Sequence, residues 1–230
     1  MGGNRRVNKK VETVLAVKRR EIPESILNMD GFKTFEDIST EDVSRVLRNA
    51  LFINRDKAEQ DEDYKQIIPY TFFICSPYVF LYKRNKMSSE HRLHDSYSLG
   101  VGGHVNQDDW NEIRKYNVFM NDEAEMFSVI SKAAQREIDE EVDLSYHTEQ
   151  KHLRWYGIVN HDRNSVGKVH LGIVLYMKLM KPVLRLKEDG ICYPTWLESN
   201  TLQESNYFLL LEEWSRIIAS HLSGRIFNNE

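Results

Sequence analysis

The chain carries three glutamates, Glu137, Glu140 and Glu141, at relative positions i, i+3 and i+4. On an α-helix these positions share one face, within an arc of roughly 100°. Carboxylates crowded on one face repel one another, so the arrangement is more stable when a hard divalent cation lies among them. We therefore expect a site for Mg²⁺, with Mn²⁺ as the alternative, and metal-assisted phosphate chemistry.

A helix must hold these carboxylates in place. The sequence predicts one over residues 123–142, with Asn121 or Asp122 as its N-terminal cap. Its apolar residues recur at helical spacing beside the carboxylates, at Ala134, Ile138 and Val142. One edge of the helix is therefore expected to pack, while the neighbouring edge gathers negative charge.

Other strands and helices are predicted around this helix. β-Branched and apolar runs predict strands at residues 11–17, 70–75, 78–82, 96–105, 155–159 and 169–179. Helices are predicted at residues 41–50, capped by Thr40, and at residues 206–222, where apolar residues recur every three or four positions. Residues 106–121 and the passage through Gly31 are expected to be irregular. We expect one mixed α/β domain over residues 1–230, with an N-terminal elaboration at 1–69 and a core at 70–222.

Composition narrows the class of protein. The chain has 230 residues, of which 41% are hydrophobic, as in ordinary globular proteins. Its formal net charge of -4 gives no overall basic surface, so nucleic acid is not an expected partner. A small anionic substrate remains compatible with this charge if a metal ion neutralises it locally.

Cysteine content and hydropathy bear on the compartment. The chain has only Cys75 and Cys192, far apart in sequence, which favours buried thiols in a reducing compartment over a disulfide framework. The polar and basic start has no apolar segment after it of the kind that directs secretion. The longest uncharged run, residues 67–82, contains Pro69 and Pro77 and is too short to cross a bilayer as a helix. We expect a cytoplasmic protein with no membrane contact.

Two segments resemble the Nudix hydrolase family. Residues 99–105 contain Gly102 and Gly103, and residues 136–144 begin with Arg136 and contain the three glutamates. The family pattern is G-x5-E-x7-R-E-U-x-E-E-x-G-U, in which U is a bulky aliphatic residue. The resemblance covers roughly residues 70–222 and implies an α/β/α sandwich with a mixed central sheet. Residues 11–31 and 155–172 more narrowly resemble a bacterial subgroup of predicted Nudix phosphoesterases.

The chain departs from this pattern at three places. Gly103 lies 33 residues before Arg136, where the pattern has 14, so 19 extra residues are inserted. The glutamate expected eight residues before Arg136 falls on Ser128, and either Glu123 or Glu125 is a candidate to replace it. Asp143 stands where the pattern has the glycine that ends the helix, and we expect it to tolerate a left-handed backbone.

The resemblance implies roles for individual residues. Glu137, Glu140, Glu141 and the carbonyl of Gly103 are the implied metal ligands. Arg136 is expected to orient a glutamate through a charge-assisted hydrogen bond, and Glu137 is our first choice for the catalytic base. The substrate-binding candidates are Gly102, Gly103, His104, Arg163 and His170. A structural role competes with this assignment for both histidines.

Other aromatic and loop residues have weaker claims. Tyr156 and His161 could line the pocket beside Arg163, although loop residues are equally often mere surface. Trp196 and Trp214 are expected to belong to the core.

Together these features predict a Mg²⁺-dependent hydrolase that cleaves a phosphoanhydride in a nucleoside diphosphate derivative or related organic diphosphate. Two alternatives use the same fold. One is a nucleotide-sensing or interaction module without turnover, and the other is an isoprenoid diphosphate isomerase. The expected partner is a small-molecule diphosphate, and a homodimer is an open alternative to a monomer.

Overall fold

The computed structural model of the protein describes residues 11–84, 96–116, 122–149, 151–187, 191–222 and 226–227. Its main feature is a mixed sheet of ten strands with helices packed on both faces. This arrangement confirms the predicted α/β class. Among the helices of the described residues, none is both long enough and apolar enough to cross a membrane.

The strands follow one another as β1 (Thr13–Lys18), β2 (Gly31–Thr34), β3 (Ala50–Asn54), β4 (Tyr64–Cys75), β5 (Tyr78–Arg84), β6 (Tyr97–Ser98), β7 (Gly100–Gly102), β8 (Val142–Asp143), β9 (Leu153–Asn160), β10 (His170–Lys178), β11 (Arg185–Leu186) and β12 (Ile191–Glu198). The main order across the sheet is β12-β5-β4-β10-β9-β2. In addition, β1 pairs with β3 and β4, β6 with β5, and β7 with β4, whereas β8 and β11 form a separate pair.

The helices are α1 (Glu24–Leu27), α2 (Thr40–Arg48), α3 (Arg55–Ala58), α4 (Gln107–Tyr116), α5 (Asp122–Glu141), α6 (Ser165–Lys168), α7 (Asn206–Leu210) and α8 (Glu213–Ala219). Short 3-10 turns occupy Arg19–Glu21 and Leu202–Glu204. Helices α2, α4 and α5 cover one face of the sheet, and α8 covers the other.

Strand β10 shows how one sequence supplies both faces. Successive side chains of a strand point to opposite sides, so alternate residues enter different layers. Ile173 and Leu175 pack in the layer that holds α5, whereas Val174 and Tyr176 pack in the layer that holds α8. The strand runs parallel to β4, which places its first residue, His170, beside Gln66.

The long helix α5 agrees with its prediction. Ala134 packs in the core cluster on the face of the sheet that α5 covers. Ile138 and Val142 are buried in an adjoining cluster. The carboxylates occupy the neighbouring edge, as their spacing predicted. The rigid helix therefore carries the charged edge to the end of β7.

Residues 106–121 were expected to be irregular, and that expectation is wrong for α4. Trp110 and Ile113 lie three positions apart and both pack against the core beneath α5. At the start of the helix, the backbone N–H of Asn106 donates to Oδ2 of Asp109 at 2.8 Å. The packing of Trp110 and Ile113, together with this cap, holds α4 in place although its sequence lacks a continuous apolar stripe.

The expected single helix over residues 206–222 is broken into α7 and α8. Leu211 has an extended backbone, with φ -67° and ψ 138°. The following N–H, from Glu212, donates to the carbonyl of Tyr97 at 2.8 Å, and the Glu212 side chain then caps α8. The break places Glu212 at the start of a helix that faces α5 across a cavity.

Three smaller expectations also change. Residues 31–34 form the edge strand β2 on β9 rather than a loop. The cap of α2 is Ser39, whose hydroxyl accepts the N–H of Asp42 at 3.1 Å, so Thr40 is already helical. Cys75 is buried, but Cys192 is partly exposed, and neither forms a disulfide.

A buried lysine ties β4 to the segment before β10. Lys65 is fully buried, and its ammonium group donates to Asp162 at 2.6 Å, to the carbonyl of Gly167 at 2.6 Å and to that of His170 at 3.1 Å. Burial lowers the pKa of Lys65 from 10.5 to about 8, although its partner Asp162 opposes the shift. Lys65 thereby fixes two residues, Gly167 and His170, that line the cavity.

We predict a specific pH dependence of stability from Lys65. Between pH 8 and pH 10.5 the unfolded chain binds this proton and the folded protein does not, so the free energy of unfolding should rise with pH. The rise should reach up to about 1.4 kcal/mol per pH unit relative to Lys65→Met, as measured by urea denaturation. The lowered pKa of Lys65 is contradicted if the unfolding free energy of the wild type, minus that of Lys65→Met, stays constant or falls between pH 8 and pH 10.5.

Candidate active site

A cavity of about 710 Å³ opens between the end of α5, the start of β10 and the start of α8. Its wall contains seven of the nine site residues expected from the sequence: Gly102, Gly103, His104, Glu137, Glu140, Glu141 and His170. These residues come from three separate parts of the chain. The fold therefore brings the predicted carboxylates and glycines to one place.

Arg136 lies behind this wall and connects three elements. Its guanidinium donates to Asp109 through two nitrogens, at 3.0 and 3.1 Å, and to the carbonyl of His104 at 2.8 Å. A third nitrogen donates to Oε1 of Glu137 at 2.6 Å. The forked contact fixes the arginine, and the arginine fixes the rotamer of Glu137.

Asp109 occupies the position of the first glutamate in the family pattern, which the sequence alone left open. It lies six residues after Gly103, which is the spacing of the pattern's first glutamate. Glu123 instead accepts the hydroxyl of Ser44 at 2.6 Å, and Glu125 pairs with Arg114 at 2.6 Å. Neither proposed replacement reaches Arg136. All 19 extra residues therefore lie between Asp109 and Arg136, an interval whose described residues belong to α4 and to the first part of α5.

Glu137 approaches the backbone of Gly103 closely. A Cβ atom at position 103 would overlap the carboxylate of Glu137, so a larger residue there would displace that carboxylate from its contact with Arg136. Burial raises the pKa of Glu137 above its ordinary value of 4.5; Arg136 opposes this shift, and the nearby charge of Glu140 adds to it. The carboxylate is thus held in a place where its negative charge lacks full compensation.

The other two glutamates differ in exposure. The Glu140 side chain is 59% exposed, and its Oε2 lies 3.6 Å from the guanidinium of Arg136. Glu141 is half-buried and faces the interior, where its charge acts on Tyr82 and Arg84. Three carboxylates and one glycine carbonyl are hard oxygen donors of the kind that Mg²⁺ prefers, so the chemistry of the donor set fits such an ion. The carboxylate oxygens of Glu137, Glu140 and Glu141 do not all lie within 4.8 Å of one another, so they would have to draw together to bind one ion.

The end of α5 does not follow the expected left-handed turn. Among the described residues the only non-glycine residue with a positive φ is Tyr193, so Asp143 has an ordinary backbone. It lies in β8, paired with Arg185, and its carboxylate accepts the N–H of Ser145 at 2.9 Å. The helix ends because the chain enters a strand, and the glycine of the pattern is not required.

Arg163 is not brought to the cavity. Its side chain is 77% exposed and pairs with Asp30 at 2.5 Å. His161 also binds Asp30, at 2.6 Å, and its other ring nitrogen lies 2.6 Å from Glu213. Tyr156 is buried in the aromatic core and donates to the carbonyl of His221 at 3.1 Å. These residues brace the loop after β9, while the cavity wall is made by others.

Arg84 is a cavity residue that the sequence did not mark. It is the last residue of β5, and it donates to Ser98 and to the phenol oxygen of Tyr82, each at 3.0 Å. No carboxylate of the described residues lies within ion-pair distance of it. Burial disfavours its charge, but the field of Tyr82 and Glu141 raises the pKa of Arg84 above its ordinary value. The cavity therefore contains a permanent, partly buried cation.

The opposite wall is built on the start of α8. Glu212 accepts the backbone N–H of Trp214 at 2.9 Å and that of Ser215 at 2.8 Å. The phenol of Tyr70 donates to Glu212 at 3.0 Å and lies 2.7 Å from the hydroxyl of Ser215. Trp214 packs against the core cluster beside α8 and also lines the cavity, whereas Trp196 packs in a core cluster as predicted. Sequence spacing could not indicate this wall, because the break before Glu212 depends on Tyr97.

Comparison with known proteins supports the same fold. No protein-family model matches the chain. It is 32% identical over 198 residues to Protein YmaB of Bacillus subtilis (strain 168), covering 82% of this chain and 89% of that protein. It is also similar to the crystal structure of Tm1382, described as a candidate Nudix hydrolase, with a TM-score of 0.69 and 26% identity. That match covers 94% of this chain and 99% of the other.

We predict strong energetic coupling between Asp109 and Arg136. Removing either partner leaves the other charge in a largely buried position, so each alanine variant should lose about 2–3 kcal/mol of unfolding free energy. A double-mutant cycle measured by urea denaturation should give a coupling of about 2 kcal/mol. The exposed pair Lys132–Glu112 also joins α5 to α4 and serves as the control, with a much weaker coupling expected because water screens both charges. Equal coupling in the two pairs would contradict the positioning role of Asp109.

Proposed function

This chain belongs to the Nudix family, and we propose that it is a metal-dependent hydrolase acting on a phosphoanhydride bond. The expected substrate is a nucleoside diphosphate derivative or a related organic diphosphate. The observation that carries the proposal is the joint position of Glu137, Glu140, Glu141 and Gly103 on one cavity wall. No fold-level likeness alone would justify it, because activity depends on the site.

The proposed metal is Mg²⁺, with Mn²⁺ as the alternative, held by the three glutamates and the carbonyl of Gly103. When bound, such an ion neutralises phosphate charge and lowers the pKa of a coordinated water. The protein's own contribution is to fix the positions of the oxygen donors. Arg136 does this for Glu137, and Asp109 does it for Arg136.

Glu137 is our first choice for the base. Its environment raises its pKa, which makes its carboxylate a better proton acceptor than an ordinary glutamate. The hydrogen bond from Arg136 occupies Oε1, so Oε2 is the atom proposed to accept the proton from the attacking water.

Arg84 and Trp214 supply the proposed substrate contacts. Both line the cavity, and a volume of about 710 Å³ is suited to a ligand of nucleotide size. The partly buried guanidinium of Arg84 complements a phosphate group, and the indole of Trp214 offers an aromatic surface to a base or another flat group. We propose that catalysis takes place in the cytoplasm on a freely diffusing small molecule.

We predict that Glu140→Gln and Glu141→Gln each lower kcat by at least about 100-fold, because each removes a charged ligand of the metal. The measurement is release of phosphate-containing products from a panel of organic diphosphates in Mg²⁺ or Mn²⁺. Asp139→Asn is the matched control, since Asp139 lies on the same helix and bonds to Gln135 and Lys187 outside this cavity. It should retain the wild-type rate.

Each contrary outcome has a definite meaning. Full activity in both glutamine variants would refute the proposed metal ligands. Tight nucleotide binding without turnover would replace hydrolysis with a sensing role, and a rearranged diphosphate product would replace it with isomerisation.

We further predict that Arg84→Gln raises KM by about 10- to 100-fold with a smaller change in kcat, because a charge-assisted contact to phosphate is lost. Arg163→Gln provides the comparison, since its guanidinium lies outside the cavity. Steady-state kinetics on the best diphosphate substrate measures both. If Arg163→Gln raises KM and Arg84→Gln does not, the cation that binds substrate is the one expected from the sequence.

A further inference from the structure

Two histidines and one glutamate lie close together beside the cavity wall that holds Glu137, Glu140 and Glu141. They are His104, which follows β7, His170, which begins β10, and Glu59, which follows α3. Their ligand atoms all lie within 4.8 Å of one another. Oε1 of Glu59 is almost equidistant from the two rings, at 3.7 Å from Nε2 of His104 and 3.8 Å from Nε2 of His170.

Hydrogen bonding fixes which nitrogen of His170 faces the glutamate. Nδ1 lies 2.7 Å from the carbonyl oxygen of Val166, which can only accept, so Nδ1 carries the proton. In the neutral tautomer that carries this proton, Nε2 presents its lone pair towards Glu59. A ring N–H bound to a backbone carbonyl is the usual support for a metal-binding histidine.

His104 presents a second ring nitrogen. Its Nε2 is buried and has no hydrogen-bond partner, although such a nitrogen normally finds one. This nitrogen lies 3.7 Å from Oε1 of Glu59, so it faces the same point as Nε2 of His170.

The surrounding charges permit a cation. Arg55 lies 3.9 Å from Glu59, but both oxygens of Glu12 accept from it at 3.0 Å, so two carboxylates offset one guanidinium. The Gln66 amide nitrogen lies 3.2 Å from Nε2 of His170 and would have to yield this contact to a metal. The amide oxygen of Gln66 is itself buried without a partner, which leaves the side chain able to reorient.

We propose that Glu59, His104 and His170 form a second metal site, selective for a transition-metal ion such as Zn²⁺ or Co²⁺. Two imidazoles and one carboxylate suit these ions, whereas Mg²⁺ prefers oxygen donors alone. Ligands of one tetrahedral ion lie about 3.4 Å apart, so the half-buried Glu59 needs to move only slightly. Three protein ligands leave one position open to water or substrate, because both histidines line the cavity.

The test is a Co²⁺ titration of the metal-stripped full-length protein in excess Mg²⁺ and without substrate, followed by visible d–d absorption. The wild type should bind one Co²⁺ with nitrogen ligation. His170→Gln and Glu59→Gln should each weaken Co²⁺ binding by at least about 100-fold. Loss of a residue that only hydrogen-bonds to a metal ligand would have a smaller effect. Glu140→Gln, in the carboxylate site, and His152→Gln, at an exposed histidine, are controls that should bind as the wild type does.

A second measurement uses only the wild type, so it does not depend on whether the variants fold. Imidazole NMR signals of His104 and His170 should broaden together on addition of Co²⁺ to the wild type, ahead of those of His152. Binding that is lost in Glu140→Gln but retained in His170→Gln and Glu59→Gln would overturn the proposal, as would the absence of Co²⁺ binding in excess Mg²⁺. The assay is independent of hydrolysis, so a failure of the proposed function leaves its outcome unaffected.

Discussion

The contact between Arg136 and Asp109 is the constraint on which the site depends. It joins the start of α4 to α5, and the same guanidinium holds the carbonyl of His104 and the carboxylate of Glu137. A largely buried ion pair gives modest net stability, but it allows few alternative geometries. Because Glu137 and the backbone carbonyl of His104 are held by one group, the part of α5 that carries Glu137 and the loop after Gly103 cannot shift independently.

This constraint also explains how the fold accommodates a long insertion. The extra residues begin after Asp109, so they leave the chain between Gly103 and the ion pair at its ordinary length. Trp110 and Ile113 then bury α4 against the core, and Arg114 pairs with Glu125 across to α5. The described part of the insertion thus packs against the core and supports α5 from outside the cavity, which is compatible with an intact site.

Sequence spacing predicted those parts that depend on local periodicity. Helix α5, its three glutamates and the strands beside it follow from the helical and strand repeats of side chains. The position of Asp109 was missed because counting backwards from Arg136 runs through the insertion, whereas counting forwards from Gly103 does not. Arg84 and Glu212 were missed for a different reason: each reaches the cavity through contacts with distant residues, such as Tyr82 and Tyr97.

The cavity combines two chemically different surroundings in one space. On the α5 side, three carboxylates line the cavity and burial raises the pKa of Glu137, so this side favours a hard cation. Beside Gly103, the rings of His104 and His170 lie 5.8 Å apart and offer nitrogen ligands. Arg84 adds a partly buried positive charge to the lining of the same cavity. A diphosphate suits such a space because its several oxygens can meet a metal ion and a guanidinium at once, whereas a ligand with a single charge cannot.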